Sequence, residues 1–84
     1  MTKEPAPFTP RMERTLARAR ELARARGHSY LGTEHLLLAL IDDSAGIAGG
    51  VIHRLGHAEQ IRKEVLRIMD SQGYGRTSSD TDSR

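Results

Sequence analysis

The feature that most constrains this chain is a run of apolar residues near its middle. Residues 36–41 read Leu-Leu-Leu-Ala-Leu-Ile, so a helix through them is apolar in every direction. Such a helix is typically buried on all sides rather than laid on a surface. The chain has 84 residues, of which roughly 60 have a folding pattern, and they make only a small core. We therefore expect that one small bundle can hardly cover this helix.

The first helix is predicted to begin at Pro10. The Thr9 hydroxyl can cap free amides, and proline suits the first helical position. The helix runs to about Arg26, and Gly27 supplies a left-handed stop. Its apolar positions recur every three or four residues and form one core stripe: Met12, Leu16, Ala19 and Ala23.

The second and third helices follow a connecting loop and a turn. Thr33 is the cap candidate for the second helix, over 34–41, with Glu34 favourably placed in its first turn. After the turn at 42–46, one face of a third helix is apolar, and Gly56 ends it; the face consists of Ile47, Val51 and Leu55. Two glycines inside this helix, Gly49 and Gly50, each cost about 1 kcal/mol relative to alanine unless a neighbouring backbone packs closely there.

A fourth helix is predicted from about Ala58 to Met69. Its inward residues are Ile61, Val65 and either Ile68 or Met69, while its charged residues stay in water: Arg62, Lys63, Glu64 and Arg67. The expected architecture is all-α, with one four-helix domain over 8–70. We expect a flexible segment over 1–7 and a disordered polar tail over 71–84.

Three stretches of the chain form a distinctive pattern: FTPR at 8–11, GHSYLGTEHLLL at 27–38, and GIA at 46–48 followed by LG at 55–56. In order and spacing they resemble the Clp N-terminal repeat of ClpA- and ClpC-type AAA+ unfoldases. In ClpC-type unfoldases the repeat occurs twice, and the two copies pack about a pseudo-two-fold axis into a domain that receives substrates, adaptors and some cyclic-peptide antibiotics. This chain has one copy, which is half of that double domain, so we predict a homodimer that restores the arrangement.

Three features of the chain depart from the family pattern. Gly49 and Gly50 stand where the family usually has alanine and a basic residue, so the third helix is expected to be looser or more closely packed. The turn Asp43-Ser44-Ala45-Gly46 lacks the family's acidic Glu-Gly-Glu-Gly-like sequence. The segment 56–59 before the fourth helix looks one residue short and lacks the usual aspartate cap.

Thr9 and Glu34 are the candidate ligand-binding residues. In the resembling domains the matching residues take part in binding phosphoarginine, a degradation tag, and Phe8, Arg11 and Thr33 are possible supporting residues. A helix N-terminus and a hydroxyl suit a phosphate, and a carboxylate accepts hydrogen bonds from a guanidinium. The alternative is that Thr9 is an ordinary cap and Glu34 an ordinary first-turn residue.

Catalysis, metal binding and cofactor binding are not expected. The chain has no G-x-x-x-x-G-K-[ST] phosphate loop and no cysteine nucleophile. His53 and His57 have an i, i+4 spacing, but Gly56 should end the helix between them, so no metal site is predicted. His28 and His35 are expected to be structural hydrogen-bonding groups.

The predicted function is protein binding within the Clp proteolysis system, in the cytoplasm. The chain would be an adaptor that delivers clients, a decoy that captures tagged proteins or antibiotics, or a subunit that pairs with an unfoldase's own repeats. A different possibility is a regulatory or nucleic-acid-binding module that uses the arginine-rich first helix. Nucleic acid is the less favoured partner, because a net charge of +2 is low for a protein that binds phosphate backbones.

Overall fold

The computed structural model describes residues 8–71, which form four helices and no strand. They are α1 (Pro10–Ala25), α2 (Thr33–Asp42), α3 (Ile47–Arg54) and α4 (Ala58–Met69). The prediction of an all-α chain with four helices is confirmed. The flexible segment predicted over 1–7 and the tail predicted over 71–84 lie outside the described residues, apart from Ser71.

Both ends of α1 use the residues that the sequence indicated. The Thr9 hydroxyl oxygen accepts a hydrogen bond from the Met12 backbone N–H at 3.0 Å, which is an N-cap. Gly27 has φ of 77°, a left-handed conformation, and the following His28 N–H donates to the Ala23 carbonyl at 2.9 Å. Orphan carbonyls of the last turn are satisfied in this way.

The core side of α1 agrees only in part with the predicted stripe. Ala19 and Ala23 are buried, whereas Met12 and Leu16 are only half-buried. Thr15 is buried instead, because its hydroxyl donates to the Arg11 carbonyl one turn earlier at 2.9 Å. A threonine satisfied by its own helix can enter the core without an unpaired polar atom.

The apolar helix α2 lies at the centre of the fold. It packs against α1, α3 and α4, whereas α1 and α4 make no direct backbone packing with each other. Leu38, Ala39 and Ile41 are buried, and none of its other leucines is exposed. Leu36, Leu37 and Leu40 are only half-buried, so three neighbouring helices from the same chain cover α2 in part, which agrees with the expectation that one small bundle can hardly cover it.

The start of α2 also differs from the prediction. Gly32, not Thr33, is the cap residue, and Thr33 is the exposed first residue of the helix. The His35 ring takes the capping role, because its Nδ1 accepts a hydrogen bond from the Gly32 N–H at 2.9 Å. The sequence pattern missed this because an imidazole three residues into a helix is an unusual capping group.

Helix α3 packs through its glycines rather than through its apolar side chains. Gly49 is buried against the C-terminal end of α2, where an added Cβ would overlap the carbonyl oxygens of Leu40 and Asp43. The apolar face exists as predicted but lies in solvent: Ile47 is 88% exposed, Val51 43% and Leu55 67%. The close approach of α3 to α2 explains why glycine stands at position 49.

Helix α4 begins and ends where the sequence predicted. Of the two alternatives for its last inward position, Met69 is buried and Ile68 is exposed. Arg62 is half-buried rather than fully in water, because its guanidinium donates to Asp42 at 2.8 Å. Asp42 also pairs with Arg18 at 3.4 Å, so one carboxylate at the end of α2 links α1 to α4.

Within residues 8–71, no single helix is long and apolar enough to cross a membrane. Helices α2 and α3 taken together reach the required length and apolarity, but their axes are bent by 73° at the turn between them.

Candidate functional site

Thr9 lies at the rim of a cavity of about 280 Å³ between the start of α1 and the start of α3. Arg11, Asp43 and Gly46 also line this cavity. The Thr9 hydroxyl oxygen accepts from a backbone amide, so its own proton stays available to a ligand oxygen. Phe8 is exposed next to it in sequence. A polar ligand at this rim would therefore find a hydroxyl and an exposed aromatic ring.

The guanidinium of Arg11, the supporting residue at this rim, already has a partner. Its Nη1 donates to Asp43 Oδ1 at 2.6 Å, which ties the first turn of α1 to the turn that precedes α3. An incoming phosphate would compete with this carboxylate for the same donors and would be repelled by it. Asp43 is the acidic residue that remains in the turn at 43–46, so this turn still places one negative charge at the candidate site.

Glu34 lies at the opposite end of the α1–α2 pair. Arg11 at the start of α1 contacts Asp43 after the end of α2, while His28 after α1 contacts His35 in the first turn of α2. The two helices are therefore antiparallel. Nine residues of helical rise separate Glu34 from Asp43, about 13 Å along the axis.

The Glu34 carboxylate folds back over Gly32, where an added Cβ would lie 2.5 Å from its Oε1. This position is in the loop at the C-terminal end of α1, away from the Thr9 rim. Thr33 is exposed in the same first turn. The structure therefore groups Thr9 with Arg11 and groups Glu34 with Thr33, and it does not bring the two groups together within one chain.

The predicted structural histidines form a hydrogen-bonded relay beneath this loop. His35 is fully buried, and its Nε2 is 2.8 Å from His28 Nδ1. Because His35 Nδ1 accepts from the Gly32 N–H, the neutral ring carries its proton on Nε2 and donates to His28. Burial lowers the pKa of His35, and nearby His28 and Arg26 lower it further, while the Glu34 carboxylate opposes the shift.

His53 and His57 make separate contacts. His53 Nε2 lies 2.7 Å from the Ile41 carbonyl, and His57 Nδ1 lies 2.9 Å from the Gln60 side-chain oxygen. Helix α3 ends at Arg54, and Gly56 has φ of 81°, so the two rings do not share a helix face. In the part of the chain that the structure describes, no group of three histidine or carboxylate side chains is placed to hold a metal ion.

The arginines of α1 divide into two sets. Arg11, Arg18 and Arg26 pair with Asp43, with Glu21 and Asp42, and with Asp70, respectively. The other three form no ion pair with any residue of 8–71: Arg14, Arg20 and Arg24. Half of the arginines that suggested a nucleic-acid surface are thus neutralised by carboxylates. These carboxylates lie in α1 itself, at the end of α2, in the turn that follows α2 and at the end of α4.

No local sequence pattern indicates the partner of Arg11 or the exposed side of α3. Asp43 is 32 positions from Arg11, and only the antiparallel packing of α1 on α2 brings them together. The apolar period of α3 identifies a face but not its direction, since core and exposed stripes have the same spacing.

Comparison with known proteins agrees with this fold. The profile of the Clp repeat (R) N-terminal domain family matches residues 7–82. The chain belongs to this Clp repeat family. The repeat is 38% identical over 77 residues to the negative regulator of genetic competence ClpC/MecB of Bacillus subtilis, covering 90% of this chain and 10% of that protein.

Other relatives, from a plant chloroplast and from Guillardia theta, have a higher identity over a shorter stretch. The Clp repeat is 45% identical over 64 residues to the chloroplastic chaperone protein ClpC of Pisum sativum, covering 75% of this chain and 7% of that protein. An ATP-dependent Clp protease ATP-binding subunit ClpA homolog of Guillardia theta gives the same identity, with 8% of its length covered. The chain thus spans a tenth or less of these relatives. No solved structure shows a significant match.

Proposed function

We propose that this Clp repeat is a non-catalytic module that binds proteins of the Clp system. It acts as an adaptor or decoy for clients, cyclic-peptide antibiotics or an unfoldase's own repeats. The observation that carries the proposal is the apolar face of α3, which lies in solvent. Membership of the Clp repeat family supports a partner in that system. A cytoplasmic setting remains part of the proposal.

The α3 face has the form of a docking surface. Ile47, Val51 and Leu55 recur every four residues, so their side chains form one continuous exposed stripe. A stripe of this kind on a small domain typically marks a contact site for another protein. The face is small compared with the roughly 800 Å² per partner of a stable complex. It therefore suits transient capture, or one part of a larger interface.

Phosphoarginine is the specific ligand that we propose for Thr9, Arg11 and Glu34. Thr9 offers a hydroxyl and a helix N-terminus to the phosphate, and Glu34 offers a carboxylate to the guanidinium. These groups are at opposite ends of the α1–α2 pair, so a ligand that touches both needs two copies of the chain. The proposed tag site and the proposed homodimer are thus one hypothesis, and phosphoarginine binding should depend on protein concentration.

Asp43 should weaken this site in the native chain. Its carboxylate holds Arg11 at 2.6 Å and adds negative charge at the place where the phosphate would lie. Substitution Asp43→Asn keeps the size of the side chain but releases the guanidinium. Phosphoarginine affinity should then rise by about tenfold, the effect of one recovered charged interaction.

The decisive experiment is calorimetric titration with free phosphoarginine, with light scattering on the same samples. We expect saturable binding that Glu34→Ala removes, Asp43→Asn strengthens and Glu13→Ala leaves unchanged. Glu13 is a matched control, since it is an exposed first-turn glutamate of α1 with no ion pair to a described residue. If the protein is folded and monomeric by light scattering but does not bind phosphoarginine, then Thr9 is only a helix cap. This outcome would leave the α3 face, tested with client peptides and unfoldase repeats, as the remaining site.

A further inference from the structure

A second cavity, of about 350 Å³, lies at the end of α1 farthest from Thr9. The last two turns of α1 form one wall and the loop at 28–31 forms the other. Its position separates it from the Thr9 rim and from the α3 face. Glu34 belongs to the same end of the α1–α2 pair but does not line this cavity.

The charged side chains that line this cavity are two arginines of one helix face. Arg20 and Arg24 are spaced i, i+4, both are exposed, and neither forms an ion pair with a described residue. No carboxylate lines the cavity. This contrasts with Arg11 and Arg18 on the same helix, whose guanidinium groups are bound by aspartates. The two guanidinium groups can therefore bind an incoming oxyanion without breaking a native ion pair.

The loop wall of the cavity is polar at its start. His28 and the exposed Ser29 line it there, and His28 Nδ1 lies 2.8 Å from the buried His35 Nε2, which ties this wall to α2. The two arginines therefore face a wall without a carboxylate, as an anion site requires.

The rest of the lining is apolar and fits a peptide better than a free ion. Ala23 forms the floor, and exposed Leu31 stands at the edge. Tyr30 is half-buried, with its ring stacked on His28 at 5.3 Å between centroids. One of its faces is therefore occupied, which disfavours stacking of nucleic-acid bases.

We propose that this cavity binds a carboxylate of an acidic segment of a partner protein, with an apolar neighbour of that carboxylate placed against Leu31. Arg20 and Arg24 bind the carboxylate. The site does not involve Thr9, Arg11 or Glu34. It can therefore be present or absent independently of phosphoarginine binding.

The test is a titration followed by 15N-resolved NMR and fluorescence anisotropy at low and moderate salt. The probe is a short labelled peptide of Glu, Asp and Leu, with a Gln, Asn and Leu peptide of the same pattern as its control. The variants are Arg20→Ala and Arg24→Ala, each compared with Arg14→Ala. Arg14 is a matched control because it is an exposed arginine of the same helix, also without an ion pair to a described residue, and it does not line this cavity.

We expect saturable shifts at residues 20–31 with the acidic peptide only. Arg20→Ala or Arg24→Ala should weaken binding by about tenfold, as expected for the loss of one charged hydrogen-bonding partner. Arg14→Ala should change it by less than about twofold. Equal losses in all three variants would mean general charge attraction along α1 and would overturn the proposal. It would also be overturned by the absence of saturation, or by inorganic phosphate or single-stranded DNA binding as tightly at the same residues.

Discussion

The substitution Gly49→Ala tests whether α3 is held by a close backbone approach. In a solvent-exposed helix interior, alanine is more stable than glycine by about 1 kcal/mol. At position 49 an added Cβ would overlap the carbonyl oxygens of Leu40 and Asp43 and lie 2.9 Å from the Asp43 carbonyl carbon. These obstacles are backbone atoms at the end of α2, so no side-chain rotation relieves them. Overpacking of this kind costs about 1–3 kcal/mol, and the rigid neighbours favour the upper part of that range.

The net expectation for Gly49→Ala is a loss of about 1–2 kcal/mol, after the propensity gain is subtracted. With a urea dependence of about 1 kcal/mol per M for a small domain, the unfolding midpoint should fall by about 1–2 M. The measurement is urea unfolding followed by helical circular dichroism. Gly50→Ala is the matched control, because its Cβ would meet the Ser44 carbonyl oxygen at 3.1 Å and Arg54 Nη2 at 3.9 Å without overlap, and its stability should stay near the native value. A Gly49→Ala chain more stable than the native one would refute the close approach.

Three further outcomes are expected. Thr9→Ala should lower the free energy of unfolding by about 1 kcal/mol in chemical denaturation, because the Met12 amide loses its cap. The folded-state pKa of His35 is lowered, so stability should be complete above about pH 6.5 and fall as the pH drops from there to the folded-state pKa. Unfolding midpoints measured across this pH range test the effect. The dependence of the midpoint on pH should be weaker in His35→Asn, and an unchanged dependence in that variant would contradict the reasoning. Leu55→Ser should change stability by less than about 0.5 kcal/mol yet weaken capture of apolar client peptides in anisotropy titrations.

Helix ends could be predicted from the sequence where a single local residue decides them. Thr9 caps α1 and Gly27 ends it because a hydroxyl and a left-handed glycine act on neighbouring backbone groups. The start of α2 was missed because its cap is made by the His35 ring, whose orientation depends on burial beneath the loop. The contact between Arg11 and Asp43 was also missed. It exists only once α1 and α2 are antiparallel, and no local pattern encodes it.

Helix α3 shows why an apolar period does not by itself locate a core. Helix α3 has two faces that are candidates for packing on α2. One carries Ile47, Val51 and Leu55, and the other carries Gly49. The face with Gly49 packs on α2, because without a side chain there the backbone of α3 can contact the backbone at the end of α2. Burial of the larger side chains would hold the two helices apart and leave the end of α2 uncovered. The departure from the family pattern at Gly49 and the apolar surface in solvent thus have one physical origin, and that surface is where we expect a partner to bind.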